Sequence, residues 1–232
     1  MRIKALKTAI FRPREKLLPF IDRHIGKLAE GDILVITSKI VALAEGRFQP
    51  LTTKDEKERL IRSESEFALP TKLAYLTIKD GIVMASAGVD ESNGNGNIIM
   101  LPRDSFKVAR TIRRYFQGRF KLKKLGVIIT DSRTAPLRAG ITGVALGYAG
   151  FKGIKDYRRT LDIFGRPFHF SRVDMADSLA AAAVLCMGEG RERRPLAIIS
   201  GAPVEYVERV SRDELRIDIK EDMYGPLFHQ FQ

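Results

Sequence analysis

Ile33-Leu34-Val35-Ile36-Thr37 is apolar up to its last residue and rich in β-branched side chains, the pattern of a strand buried on both faces. Val127-Ile128-Ile129-Thr130 has the same character and reads as a second buried strand. Working back from the first run, Glu30-Gly31-Asp32 is a turn, and Leu17, Ile21, Ile25 and Leu28 form a helical stripe. Pro19 interrupts that stripe, so the helix is expected to start near Leu18, with proline tolerated in its first turn. Residues 1–7 read as a strand.

Forward of the first run, the charged stretch Thr53 to Glu66 reads as an exposed helix. Ala74 to Ile78 and Ile82 to Ala87 flank Lys79-Asp80-Gly81, a hairpin signal. Asp104-Ser105 can cap a helix with the inner stripe Val108, Ile112 and Phe116 and with its arginines facing water. Beyond the second run, the glycine-rich segment 140–153 holds a strand over Val144 to Tyr148, and Phe168 to Val173 is predicted as another. Asp174 or Asp177 caps an alanine-rich helix that stops at Met187-Gly188. Leu196 to Ser200 is a further buried strand, and Leu215 to Ile219 alternates like an edge strand. Strands and helices mix without a strict βαβ rhythm and without internal repeats, which points to a mixed α/β (α+β) fold in one domain spanning 1–232.

Composition narrows the class. The 232 residues are 44% hydrophobic and 29% charged, ordinary globular usage. No run reaches the roughly 18 apolar residues of a membrane span, and the expectation is a soluble, cytoplasmic protein. Cys186 is the only cysteine, so an internal disulfide and a thiolate zinc cage are excluded; its apolar context predicts a small buried hydrophobe. The net charge of +12 favours anionic partners: nucleotides, polycarboxylates or nucleic acid. The apolar tail Met223 to Phe228 is expected to pack down or to meet a second subunit.

Several familiar sites are missing. There is no Gly-x-x-x-x-Gly-Lys-Ser/Thr loop; Gly94-Asn95-Gly96 is a turn; His24, His169 and His229 are scattered; no hydrolase triad is visible. What remains is acidic groups where regular elements end: Asp90 after the hairpin, Asp131-Ser132 after the second buried strand, and Glu189 after the alanine-rich helix. Carboxylates and hydroxyls without thiolates or paired histidines select a hard ion, magnesium or manganese. Lys39, Arg138, Arg158 and Arg166 are candidates for the positive part of such a site. Caps and surface charges are the competing explanation for each of these residues taken singly.

Six segments in order resemble a known family, the γ-glutamyl ligases of the deazaflavin coenzyme F420. They are Thr37 to Arg47, Ala87 to Asn93, Ile129 to Gly140, Gly143 to Phe151, Asp156 to Pro167 and Ala176 to Glu189. The resemblance implies two interleaved lobes with mixed sheets and flanking helices, and an intertwined homodimer. It implies a ligase that joins L-glutamate to a cofactor carboxylate through an acyl phosphate, using GTP (or ATP) and Mg2+ or Mn2+. Carried over by position, Asp90, Asp131, Ser132 and Glu189 match metal-binding residues, with Asp90 and Asp131 at the catalytic centre. Ser38, Lys39, Asn93, Met187, Gly188 and Glu189 match nucleotide contacts. The chain departs from the family pattern at Leu43, which replaces a lysine, and at Glu189, which replaces a glutamine. It departs also at Ala9-Ile10-Phe11 and around Arg133-Thr134-Ala135. Alternatives within the same logic are a folate- or pterin-type acceptor, or a non-catalytic homologue that binds nucleotide or nucleic acid.

Overall fold

The computed structural model describes residues 1–50 and 53–228. Its elements run β1 (Arg2–Leu6), α1 (Leu17–Ile25), β2 (Asp32–Thr37), α2 (Ser38–Ala44), β3 (Phe48–Pro50), α3 (Lys54–Ser63), β4 (Phe67–Pro70), β5 (Tyr75–Lys79), β6 (Ile82–Ala85) and β7 (Asn97–Ile99). Then follow α4 (Ser105–Phe120), β8 (Leu125–Thr134), β9 (Ile141–Ala149), β10 (Ile154–Asp156), β11 (Arg172–Asp174), α5 (Met175–Met187), β12 (Leu196–Ser200) and α6 (Gly225–Phe228). The fold is mixed α/β, with several sheets and flanking helices.

The main sheet has the order β1-β12-β2-β8-β9. β2 and β8 pair in parallel, and their neighbours run antiparallel. Both faces of this sheet are covered, which is why its central strands are apolar without alternation. Leu34, Ile36, Val127 and Ile129 enter one core with α1, α2 and α4. Ile33, Val35 and Ile128 enter the other, against α5 and residues of the segment that follows β12. A register shift lies where Ile129 pairs Gly147 while Thr130 pairs Ala145, leaving Leu146 as an extra residue in β9. A Cβ on Gly143 would sit 2.6 Å from the Ala180 carbonyl oxygen of α5, and one on Gly147 would sit 2.5 Å from the Phe106 nitrogen of α4. These two glycines let helices close directly onto opposite faces of β9.

A smaller unit stands beside the sheet. The three-stranded β4-β5-β6 and the pair β3-β7 gather around Ile61, Val89, Ile98 and Met100. α3 begins in a full capping box, with Thr53 accepting from the Glu56 amide and the Glu56 carboxylate accepting in return. Glu64 ties this unit together, bonded to Arg47 at 2.6 Å and to Lys79 at 2.9 Å.

Some expectations are corrected. Cys186 is exposed, and Leu185 beside it is 85% exposed, because α5 turns only its Ala176, Leu179, Ala180, Ala183 and Met187 face to the sheet. Arg113 does not face water: it is buried, donates to the Leu125 carbonyl and pairs with Glu208 through two bonds of 2.9 Å. Leu215 to Ile219 forms no strand; Leu215 instead packs against the core beneath α5. Of the predicted Phe168 to Val173 strand, only Arg172 and Val173 lie in β11, which pairs with β10. Asp174, not Asp177, caps α5, accepting from the Asp177 amide at 2.9 Å. In the tail, Met223, Tyr224 and Leu227 are exposed. His229 lies outside the described residues.

Candidate active site

Parallel pairing sets the site. Thr37 of β2 lies opposite Thr130 of β8, so Ser38, where β2 ends, comes beside Asp131, which β8 carries onward in its pairing with Val144. Sites in α/β proteins form outside the carboxyl ends of such strands. β2 passes directly into α2, which starts at Ser38 and brings Lys39 to the same place. Asp90 arrives from the small unit, where its backbone pairs with Ile99 through bonds of 2.9 and 2.8 Å. Lys39 and Asp90, far apart in sequence, meet: Nζ donates to Asp90 Oδ2 at 2.6 Å and to the Ser92 carbonyl and hydroxyl at 2.8 and 2.9 Å.

The two aspartates are held in opposite electrostatic states. Burial works to raise the Asp90 pKa, but the Lys39 ammonium and the Ser92 amide and hydroxyl outweigh it and hold the carboxyl below its usual value. Asp131 is pushed up to about 6, first by burial and further by the Asp90 charge. The Ser132 amide, the neighbouring Ser38 hydroxyl and Lys39 only partly compensate. A carboxylate kept costly in this way is stabilised by any cation brought to it.

Successive residues of β8 point to opposite faces, so Ser132 turns away from Asp131. Its hydroxyl donates to Glu189, two residues past the end of α5. The predicted acids are therefore brought to one end of β8 as two groups, Asp90 with Asp131 and Ser132 with Glu189. Among the described residues no three acidic, histidine or cysteine side chains already form a metal cage. Gly188 has φ +81°, and a Cβ there would meet the Glu192 carboxylate at 2.6 Å; Glu192 also accepts from the Gly190 amide at 2.8 Å. This loop needs glycine at 188, and any ligand contact there falls to its backbone. Met187 itself is buried in the core. Asn93 is exposed, with φ +55°, beyond Ser92.

Sequence reasoning missed Ser92, which bonds both Asp90 and Lys39. The Asp-x-Ser spacing of a side-chain turn was the available signal. It also missed Arg133, which reaches Asp177 at 3.0 Å while Asp177 accepts from the Ala145 amide at 2.9 Å. Leu43, at the lysine position of the family pattern, is buried in the core and faces no site. Of the other cations, Arg158 pairs with Asp156 at 2.5 Å and lines an open cleft of about 730 Å3 with Lys152, Lys155 and Arg172. That cleft contains none of the predicted acids. At the end of β2 and along β8, by contrast, charges of both signs converge from separate segments.

The donor set there is hard: two carboxylates, three serine hydroxyls and carbonyl oxygen, with Glu189 adjacent. Lys39 already shows that Asp90 accepts a cation. These residues fit a divalent ion of the magnesium or manganese type.

Comparison with known proteins agrees with the order of the motifs. The family model described as F420-0:Gamma-glutamyl ligase matches residues 5–201. A protein named Coenzyme F420:L-glutamate ligase from Methanococcus maripaludis strain C7 is 41% identical over 207 residues, 82% of this chain and 83% of that protein. One of the same name from Methanopyrus kandleri is 35% identical over 213 residues, 84% of each chain. Another, from Methanocaldococcus jannaschii, is 33% identical over 207 residues, 82% of this chain and 83% of the relative. The match runs through β2, the Asp90 turn, β8 and α5, the elements that build the strand-end site, and the chain belongs to the F420-0:gamma-glutamyl ligase family and is a ligase.

Proposed function

We propose that this ligase joins L-glutamate through an amide bond to a carboxylate of coenzyme F420 or its glutamate-free precursor, using GTP (or ATP) and Mg2+ or Mn2+. The observation that supports this reading best is the meeting of Lys39, Asp90 and Asp131 at the carboxyl ends of β2 and β8, within a chain of this family.

In the proposed reaction an acceptor carboxylate oxygen attacks the terminal phosphorus of the nucleotide. The bond to the bridging oxygen breaks, and the nucleoside diphosphate leaves with that electron pair. The amine of glutamate then attacks the acyl phosphate carbon, phosphate departs, and the amine gives up a proton. Asp90 with Asp131, and Ser132 with Glu189, would hold divalent metal, which would supply neutralisation of the phosphate oxygens as charge moves onto the leaving group. Lys39 stands beside Asp90 as a second positive charge for those oxygens. Ser38 and Asn93, with the backbone of Met187, Gly188 and Glu189, bind the nucleotide. An acyl phosphate must be kept from water, so a covered site is required.

A covering surface is available. Between β10 and β11, Ile163, Phe164 and Phe170 are 91%, 80% and 90% exposed. Large apolar side chains left exposed within one segment are of the kind that marks an interface, and we assign this one to the homodimer. In this reading the sheet and the small unit that carries Asp90 correspond to the two lobes. No helix among the described residues is long and apolar enough to cross a membrane; the substrates proposed are small molecules, and nucleic acid is not among them.

The test is product formation. Purified protein with Mn2+, glutamate and each of GTP and ATP is offered a deazaflavin or a pterin acceptor, and acceptor mass is measured. The expected result is a gain of one glutamyl residue or more on the deazaflavin, with GTP preferred. Glutamylation of the pterin alone would reassign the acceptor, and no product from folded protein would overturn the reading.

A further inference from the structure

We infer that Thr77, in the middle of β5, is a positioning residue for Asp90, acting through the turn Ser86-Ala87-Gly88. The inference rests on the metal-binding role proposed for Asp90. Ser86, Ala87 and Gly88 all lie in the left-handed region, at φ +50°, +53° and +68°. Two consecutive side-chain-bearing residues there are strained, so the surroundings must hold them. Ala87 is 1% exposed, and its amide cannot turn to water.

Thr77 supplies the hold. Its side chain is fully buried; its hydroxyl donates to the Met84 carbonyl at 2.7 Å and accepts from the Ala87 amide at 2.8 Å. The hydroxyl thus links the hairpin's ladder to the strained turn. On the far side Gly88 lies against Leu101, where a Cβ would come within 2.5 Å of Cγ. Val89 closes the turn by donating to the Ser86 carbonyl at 2.9 Å, and the next residue is Asp90. The path from Thr77 to the carboxylate is short and contains no free joint: β5, turn, Val89, then Asp90 locked onto Ile99. Strain maintained by one buried hydroxyl, two residues from a carboxylate that must meet Lys39, makes Thr77 the part that sets where Asp90 points.

The experiment uses the full chain and reads Mn2+ binding by electron paramagnetic resonance, with thermal melting as the fold control. Thr77→Val removes both hydrogen bonds at nearly constant shape and is expected to weaken Mn2+ binding by about 10-fold or more, the usual size of a lost supporting partner. Thr77→Ser keeps both bonds and should bind within about threefold of wild type. If Thr77→Val does not fold, Thr77→Ala, with space for a water, replaces it. A folded Thr77→Val (or Ala) that binds Mn2+ like wild type would overturn the inference, as would equal losses in the valine and serine variants. Asp90→Asn separates the two claims: unchanged Mn2+ binding in that variant removes Asp90 from the metal site, whatever Thr77 does.

Discussion

Beside the end of β2, Asp131 of β8 is partly buried with its pKa pushed up to about 6, and the Lys39 ammonium is bonded to Asp90 and only partly compensates Asp131. Between β10 and β11 the imbalance has the opposite character: Ile163, Phe164 and Phe170 lie in water with no apolar cover. Buried polar groups, by contrast, find their partners within the fold. Arg113 is buried but satisfied by Leu125 and Glu208, and the described residues contain no buried side-chain nitrogen or oxygen without a partner. The contrast separates two kinds of incompleteness. An unbalanced charge at a strand end calls for an ion and its anionic ligand, whereas an unbalanced apolar surface calls for protein.

The largest effect expected from breaking the first region is on turnover. Asp131→Asn should lower it more than about 100-fold, the scale on which a group that stabilises developing charge is worth. Metal-free stability should move the other way. A carboxyl whose folded pKa lies near 6, above the ordinary 3.8, binds its proton more tightly folded than unfolded. Its contribution to stability is therefore greatest below pH 4 and is lost as pH rises towards 6. At pH 7 the asparagine variant should be more stable than wild type by about 1 kcal/mol, allowing for partial solvent screening. Melting of both proteins without metal at pH 4 and pH 7 checks this: the gap should open only at the higher pH. A destabilised variant at pH 7 would show that Asp131 is a structural residue.

Breaking the second region should leave the fold and change the assembly. Phe164→Asp, at an exposed position, is expected to cost association about 2 kcal/mol or more, as a central apolar anchor does. Sedimentation equilibrium should show a dimer for wild type and a monomer for the variant, with similar melting of the subunit. Unchanged association would assign the exposed side chains to some other surface. The smallest effect expected is at Ser132. Ser132→Ala removes one oxygen and the contact with Glu189, and Mn2+ affinity should fall about tenfold without loss of fold.

Much of the sheet could be read from sequence because burial on both faces leaves an unambiguous trace. Ile33 to Thr37, Val127 to Thr130 and Leu196 to Ser200 all became strands of the main sheet. Thr53 and Asp104 were visible as helix starts because capping is local chemistry. α2 was not visible: it follows β2 without a break, and Thr37 makes no side-chain cap. The apolar run around Cys186 suggested burial, yet which face of a uniformly apolar helix meets the sheet is decided by tertiary packing. Arg113 misled in the opposite sense, since its partners come from Leu125 and Glu208, distant in the chain. The site was legible as motifs and not as geometry. Nothing in the spacing of Lys39 and Asp90 announces a 2.6 Å contact, and the division of Ser132 from Asp131 follows from strand alternation once β8 is known to continue through Thr134.

The central claim is that the strand-end carboxylates form the metal centre, and a crystal grown with Mn2+ and GTP tests it most directly. Anomalous scattering should place manganese about 2.1 Å from oxygens of both Asp90 and Asp131, with the Lys39 ammonium moved off Asp90 towards phosphate. Manganese at another place on the chain, with Lys39 still bonded to Asp90, would contradict the account.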